Sequence, residues 1–179
     1  MSIELNGAKV SLRSKSIADA RRDYLWQKDP ELMGFSGNPP LKESFLEYLA
    51  QSMASYKPSN YVEIFAIRTL DNNRHIGNCA LYEIDRENSS AQLGITIGER
   101  DFWSKGFGED AVKLLAHYAF ETLGLQRLWL KTLEDNTRAL RCFQKSGFNP
   151  CGSIFLVGHH YTLMEKFNQA NVNKGVVQD

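Results

Sequence analysis

The run Trp103-Ser104-Lys105-Gly106-Phe107-Gly108-Glu109 carries the clearest chemistry in this 179-residue chain. An apolar stretch precedes it and an amphipathic one follows, so it reads as a loop that opens a helix. The first amides of a helix lack intrahelical acceptors and share the positive end of its dipole, so they bind anions, phosphates above all. Gly106 and Gly108 let the main chain approach a ligand closely. The run is therefore read as a pyrophosphate-binding loop. Farther on, Asp135-Asn136 precedes another helical pattern, where either residue can cap the helix.

Groups able to move a proton are scattered. Glu83 lies in an apolar strand pattern, Gln92 on a strand face shared with glycines, and His159 and His160 at the start of a late strand. Cys79, Cys142 and Cys151 are odd in number and lack zinc-type spacing, so reduced, independent thiols and no metal are expected. Gly106-Phe107-Gly108-Glu109-Asp110-Ala111 also fits the dinucleotide fingerprint G-x-G-x-x-A, with Glu134 after the next strand. Too little chain follows Leu133 to complete a doubly wound nicotinamide-binding domain. A P-loop fails because Gly106, and not Ser or Thr, follows Lys105.

The elements that must position these residues follow from periodicity. Ala8 to Arg13 reads as a first strand, and Ser16 with Asp19 as a short-armed capping box for a helix ending near Asp29-Pro30. Gly34 to Pro40 is a loop, and Leu41 to Tyr56 a helix with Phe45, Leu46, Leu49 and Met53 on one stripe. A meander follows: Tyr61 to Leu70, Ile76 to Ile84 and Ala91 to Gly98, with turns at Asp71-Arg74 and Asp85-Asn88. In its third strand Ala91, Leu93, Ile95 and Ile97 point one way, and Gln92, Gly94, Thr96 and Gly98 the other, leaving room against the backbone. The helix after the loop buries Ala111, Leu114, Leu115, Tyr118 and Ala119 and ends at Gly124. Leu128 to Leu133 completes a right-handed parallel crossover. A helix over Asn136 to Ser146 closes on Gly147, with Phe148 folding back on Phe143. Final strands are expected around Asn149 to Phe155 and His159 to Phe167.

Composition narrows the classes. The chain is 42% apolar, enough for one packed domain over residues 1–167, with a polar tail, 168–179, expected to fray. Formal charge is zero and Arg21-Arg22 is the one basic pair of note, so no nucleic-acid partner is expected. No apolar run approaches the ~20 residues that span a bilayer, and Met1-Ser2-Ile3-Glu4 lacks a signal pattern, so a cytoplasmic protein without membrane contact is expected.

The order of elements, with the segments FWSKGFGEDA and EDNTRALRCFQKSGF, resembles the GNAT N-acetyltransferases over nearly the whole chain, and most closely their RimJ/RimL-like branch. The resemblance implies an α+β fold, a mixed, mostly antiparallel sheet of about seven strands with helices on both faces. It implies acetyl-CoA as cosubstrate and direct transfer of its acetyl group to a primary amine, on a peptide N-terminus or a small molecule. Homodimers are common in such proteins. By this likeness Ile95, Thr96 and Ile97 meet the pantetheine arm through their backbones, and Trp103, Ser104, Lys105, Gly106, Phe107, Gly108 and Glu109 wrap the pyrophosphate. Trp103 stands where the family motif has Gln or Arg. Asn136 is implied to bond the pantetheine arm, and Phe143 occupies the cofactor-side position where many of these enzymes carry a proton-donating Tyr. Catalytic roles are expected at Asn136 and Glu83, and the acceptor pocket among Gly34 to Leu41, the Glu83 region and Phe155 to His160. Because Phe143 has no proton to give, a non-catalytic acyl-CoA-binding sensor or scaffold is the alternative.

Overall fold

The computed structural model describes residues 3–55 and 59–169. One eight-stranded sheet runs through it in the order β1-β2-β3-β4-β5-β6-β8-β7. The strands are β1 (Glu4–Asn6), β2 (Val10–Ser14), β3 (Glu63–Thr69), β4 (His75–Asp85), β5 (Ser90–Ile97), β6 (Arg127–Leu133), β7 (Asn149–Leu156) and β8 (His159–Phe167). Every neighbouring pair is antiparallel except β5 with β6. The eighth strand is β1, whose three residues are too short to show alternation, but which pairs Leu5 with Leu12.

Helices cover both faces. α4 (Phe107–His117) packs on β2, β4 and β5, and α5 (Thr137–Lys145) packs beside it. Leu12, Phe65, Ile67, Leu81 and Leu93 beneath them, and Leu115 of α4 itself, are fully buried, each stabilising by about 1.5–3 kcal/mol. The opposite face carries α1 (Ala20–Gln27), α2 (Pro30–Gly34) and α3 (Phe45–Ser55). Asp29-Pro30 begins a helix as well as following one: Asp29 Oδ1 accepts from the amides of Glu31 (3.0 Å) and Leu32 (3.1 Å), and Pro30 fills the first position of α2. In α3 the expected stripe is rotated: Leu46 and Met53 are exposed, while Tyr48 and Ser52 are buried. Tyr56 lies outside the described residues, as does the expected tail from residue 170 onward.

The feature that positions the site is the parting of β5 from β6. Their parallel ladder holds Ser90 to Arg127, Ala91 to Leu128 and Gln92 to Trp129, and then stops. Beyond it β5 keeps β4 as its partner, as far as Ile97 with Gly77, while β6 pairs only with β8. One edge of Leu93 to Ile97 therefore faces a wedge-shaped gap, and unpaired strand edges are ready hydrogen-bonding templates.

Candidate active site

A cavity of about 780 Å³ fills this gap and reaches both faces of the sheet. Its α4 side is built by the glycine loop. Ser104 (φ 58°) and Gly106 (φ 85°) both take the left-handed conformation, which turns successive main-chain units toward one side. Gly106 is the N-cap of α4, and the first helical bond runs from Asp110 N to Gly106 O (3.0 Å). The amides of Ser104 to Glu109 donate to no protein acceptor among the described residues. Neither acid of the first turn reaches back to them. Glu109 bonds Lys113 (2.6 Å), and the Asp110 carboxylate accepts from the amides of Ala8, Lys9 and Val10 at 3.2, 2.7 and 3.0 Å, pinning the helix start to the β1–β2 turn.

Of the residues expected to meet a cofactor, Ile95, Thr96, Ile97, Trp103, Ser104, Gly106, Gly108, Glu109, Asn136 and Phe143 line this cavity. Lys105 and Phe107 do not. They lie on the outer side of the loop with Lys9, whose ammonium donates to Lys105 O (2.7 Å) and stands 5.6 Å from the Phe107 ring centre. Trp103 is a brace: its indole N–H donates to Ile97 O (2.7 Å), and Arg138 stacks on its ring at 3.7 Å. Burial lowers the pKa of Arg138, which also lies 4.6 Å from the Phe35 ring centre.

Asn136 caps α5 as expected, its Oδ1 accepting from Ala139 N (3.2 Å). Its Nδ2 donates across the gap to Phe35 O (3.2 Å), so one side chain ties α5 to the segment after α2. Phe143 is buried against Phe148, with ring centres 6.1 Å apart, and Phe148 N returns to Phe143 O (3.0 Å). Cys142 lines the cavity, and burial first, then the charge of Glu109, pushes its thiol up to about 11, so it stays protonated.

On the other face the cavity is walled by Trp26, Phe35 and Tyr82, and by Tyr161, whose hydroxyl donates to Ser36 O (3.2 Å). Phe35, Ser36 and Asn38 come from the expected acceptor segment, whereas the β7–β8 hairpin contributes Tyr161 and nothing from Phe155 to His160. Glu83 sits exposed on a bulge of β4 with φ 50°, and is not among the lining residues; its neighbour Tyr82 is.

The floor holds a polar cluster absent from the sequence reading. Lys15, 8% exposed, bonds Asp23 and donates to Asn78 Oδ1 (2.7 Å), and Asn78 Nδ2 donates to Asp23 Oδ1 (2.7 Å). His75 Nε2 lies 2.9 Å from Asn78 Oδ1, and Arg13 holds Asp19 at 2.7 Å. Burial lowers the pKa of Lys15 despite Asp23 beside it. Burial, then the charge of Lys15, lowers that of His75. For Asp19 burial acts upward, but the Ser16 hydrogen bond and the charges of Lys15, His75 and Arg13 outweigh it, and its pKa is lowered. The signal was present in the sequence as Lys15 and Asp23, eight residues apart, but nothing local says that they face inward. Among the described residues, no group of His, Cys, Asp and Glu could hold a metal ion, and no helix is long and apolar enough to cross a membrane.

Comparison with known proteins agrees with this architecture. The chain is 29% identical over 145 residues to the uncharacterized N-acetyltransferase p20 of Bacillus licheniformis, covering 78% of this chain and 81% of that protein. It is 26% identical over 131 residues to an N-acetyltransferase 9-like protein of Caenorhabditis briggsae, covering 68% of this chain and 65% of the relative. The spermidine N-acetyltransferase of Vibrio cholerae in complex with CoA and spermine shares the fold, with a TM-score of 0.79 at 22% identity over 88% of this chain and 95% of that one. An aminoglycoside acetyltransferase in complex with coenzyme A shares it too, at TM-score 0.75 and 19% identity, over 92% and 98% of the two chains. The family model for the acetyltransferase (GNAT) domain matches residues 9–149. That stretch contains the parted strands, the glycine loop and the Asn136 cap, and on it the chain belongs to the GNAT acetyltransferases.

Proposed function

We propose that the protein transfers the acetyl group of acetyl-CoA to a primary amine by direct attack in a ternary complex, as an enzyme of the RimJ/RimL-like branch. The observation that carries this reading is the continuity of donors along one side of the cavity. The open edge of Leu93 to Ile97 runs into the unpartnered amides of Ser104 to Glu109. A strand edge suits an amide-bearing pantetheine arm, and a helix start suits a diphosphate. Acetyl-CoA, when bound, supplies an activated acyl group on a good leaving group. Everything else falls to this chain: Ile95, Thr96 and Ile97 orient the arm, the loop holds the phosphates, and Asn136 positions the arm from α5.

The acceptor side favours a weakly basic amine, such as a peptide N-terminus, or a small neutral-bodied molecule. The buried carboxylate that lines it, Asp23, is already held by Lys15 and Asn78, Asp19 in the same cluster is held by Arg13, and Glu31 near the rim is held by Arg100 at 2.6 Å. Trp26, Phe35, Tyr82 and Tyr161 supply apolar walls and no array of free anions for a polycation. The relatives of similar fold that act on spermidine and on aminoglycosides keep small-molecule amines in view. An α-amine with pKa near ~7.8 is over a tenth neutral at pH 7 and needs little help from a base. A lysine-type amine, near ~10.4, wants one, and we assign that role to Glu83, exposed next to the cavity-lining Tyr82.

Release of the CoA thiol, followed with a thiol reagent across a panel of α-amines, lysine side chains and polyamines, tests the assignment. Amine-dependent release fastest with α-amines is expected. Much faster turnover of lysine side chains or spermidine would overturn the acceptor assignment. Tight CoA binding with no release for any amine would favour the sensor, which the missing Tyr at Phe143 makes the specific alternative.

A further inference from the structure

We infer that Tyr82 is a catalytic residue, the proton relay of the transfer step, standing in for the phenol that Phe143 cannot supply. The inference rests on the acetyltransferase reading above and adds a named group to it.

Three observations place Tyr82 there. It pairs with Gln92, the last β5 residue in the parallel ladder with β6, so it stands at the point where the two strands part. Its ring leans over Gly94, the second residue past that point: a Cβ on Gly94 would fall 2.8 Å from Tyr82 Cε2. The missing side chain of Gly94 is what lets the phenol lie along the open edge. Finally, Tyr82 lines the cavity and is 40% exposed, and its hydroxyl bonds no described residue, unlike Tyr161 and Tyr118, whose hydroxyls are held by Ser36 O and Glu63. A phenol facing a mixed polar and aromatic cavity without a structural partner is available for chemistry.

The proton accounting closes on this one group. The amine nitrogen forms its bond to the acetyl carbon, the carbon–sulfur bond breaks, and the electron pair leaves on sulfur. Tyr82 gives its proton to that sulfur and takes the one the nitrogen sheds, so it ends as the phenol it began as, with amide and thiol as products. Burial, then Cys79 beneath it, raises the pKa of Tyr82, so it holds its proton at neutral pH and acts as donor first. The other titratable groups lining the same cavity are Asp23 from α1, Cys79 from β4, Glu109 from α4, Lys131 from β6, Arg138, Arg141, Cys142 and Lys145 from α5, and Tyr161 from β8, with Glu83 adjacent on the bulge.

Tyr82→Phe and Tyr82→3,5-difluorotyrosine test the inference in the full chain. The Phe variant removes one oxygen from a partly exposed ring. It should fold, bind coenzyme A by calorimetry within about two-fold of wild type, and lose kcat by roughly 100-fold or more at saturating amine. In the fluorinated protein the alkaline limb of the kcat profile should move to lower pH with the weakened phenol. The fluorine resonance should shift when coenzyme A is added. A Phe variant that keeps kcat within about three-fold, or an alkaline limb that stays in place, overturns the inference. Equal loss of CoA affinity and kcat would make Tyr82 a packing residue and also overturn it. Wild-type protein that releases no thiol with any amine would instead remove the transferase reading, and this inference with it.

Discussion

Replacing Gly106 with Val tests whether the loop's main chain is the anion site. At φ 85° an L-residue costs about 1–2 kcal/mol, and a β-branched one is worse, so roughly 2–3 kcal/mol is expected. Space is not the obstacle: a Cβ there would meet Lys9 Nζ at 3.1 Å, the movable end of a flexible side chain. For a chain of this length each kcal/mol moves the melting temperature by about 2–4 °C, so a fall of roughly 4–12 °C leaves the protein folded at 25 °C. The chain relieves the strain by rotating peptide units, and at least two of the amides between Ser104 and Glu109 turn away from the cavity. Charge-assisted hydrogen bonds are worth about 1.5–3 kcal/mol each, so two lost bonds weaken coenzyme A binding by about 3–6 kcal/mol, or roughly 10²–10⁴-fold. Isothermal titration calorimetry on the folded variant measures this, with Gly124→Val, outside the cavity, as control. There φ is 71° and a Cβ would meet nothing within 4 Å, so a similar loss of stability should come with an unchanged Kd. A folded Gly106→Val protein that binds coenzyme A like wild type refutes the loop as the anion site.

Asp23→Ala leaves the Lys15 ammonium buried without its carboxylate and should destabilise the fold by about 3–5 kcal/mol in urea melts. Acid should weaken the fold in two stages. The lowered pKa of His75 means that stability is lost as pH falls below the ordinary imidazole value, where only the unfolded chain takes up the proton readily. The lowered pKa of Asp19 removes more as pH falls through the carboxylate range, and in His75→Gln the upper stage should vanish from the melting-temperature profile while the lower one remains. Asn136→Ala should cost about 1 kcal/mol for the lost cap and also raise the Kd for coenzyme A; a stability loss with unchanged Kd would leave Asn136 a purely structural residue.

Much of this was legible because it is local. The glycine loop, the cap at Asn136 and the return of Phe148 onto Phe143 are governed by residues a few positions apart, and the rules that govern them are short-range. The glycines of β5 marked room beside that strand, but the point where β5 and β6 part is set by register, with the ladder ending at Gln92 and Trp129. What the sequence could not show depends on register and facing. Tyr82 matters because β4 places it beside Gln92 and over Gly94, whereas Glu83 next to it turns out on a bulge. Lys15, Asp23, Asn78 and His75 come from three elements, and only the assembled sheet brings them within hydrogen-bond reach. The exposed Leu46 and Met53 of α3 show the same limit, since a helical stripe fixes the period and not its phase against the sheet.

The reach of the Asn136 carboxamide to the Phe35 carbonyl makes the two halves of the pocket interdependent. A ligand that turns this carboxamide out of line with Phe35 O also releases the segment that walls the opposite chamber. Whatever that release costs, an occupant pressing the wall outward has already met it, and thermodynamic reciprocity requires each occupant to alter the other's affinity by the same factor. Titrating one in the presence of the other, with Asn136 intact and then truncated, would reveal that communication as a difference between two dissociation constants.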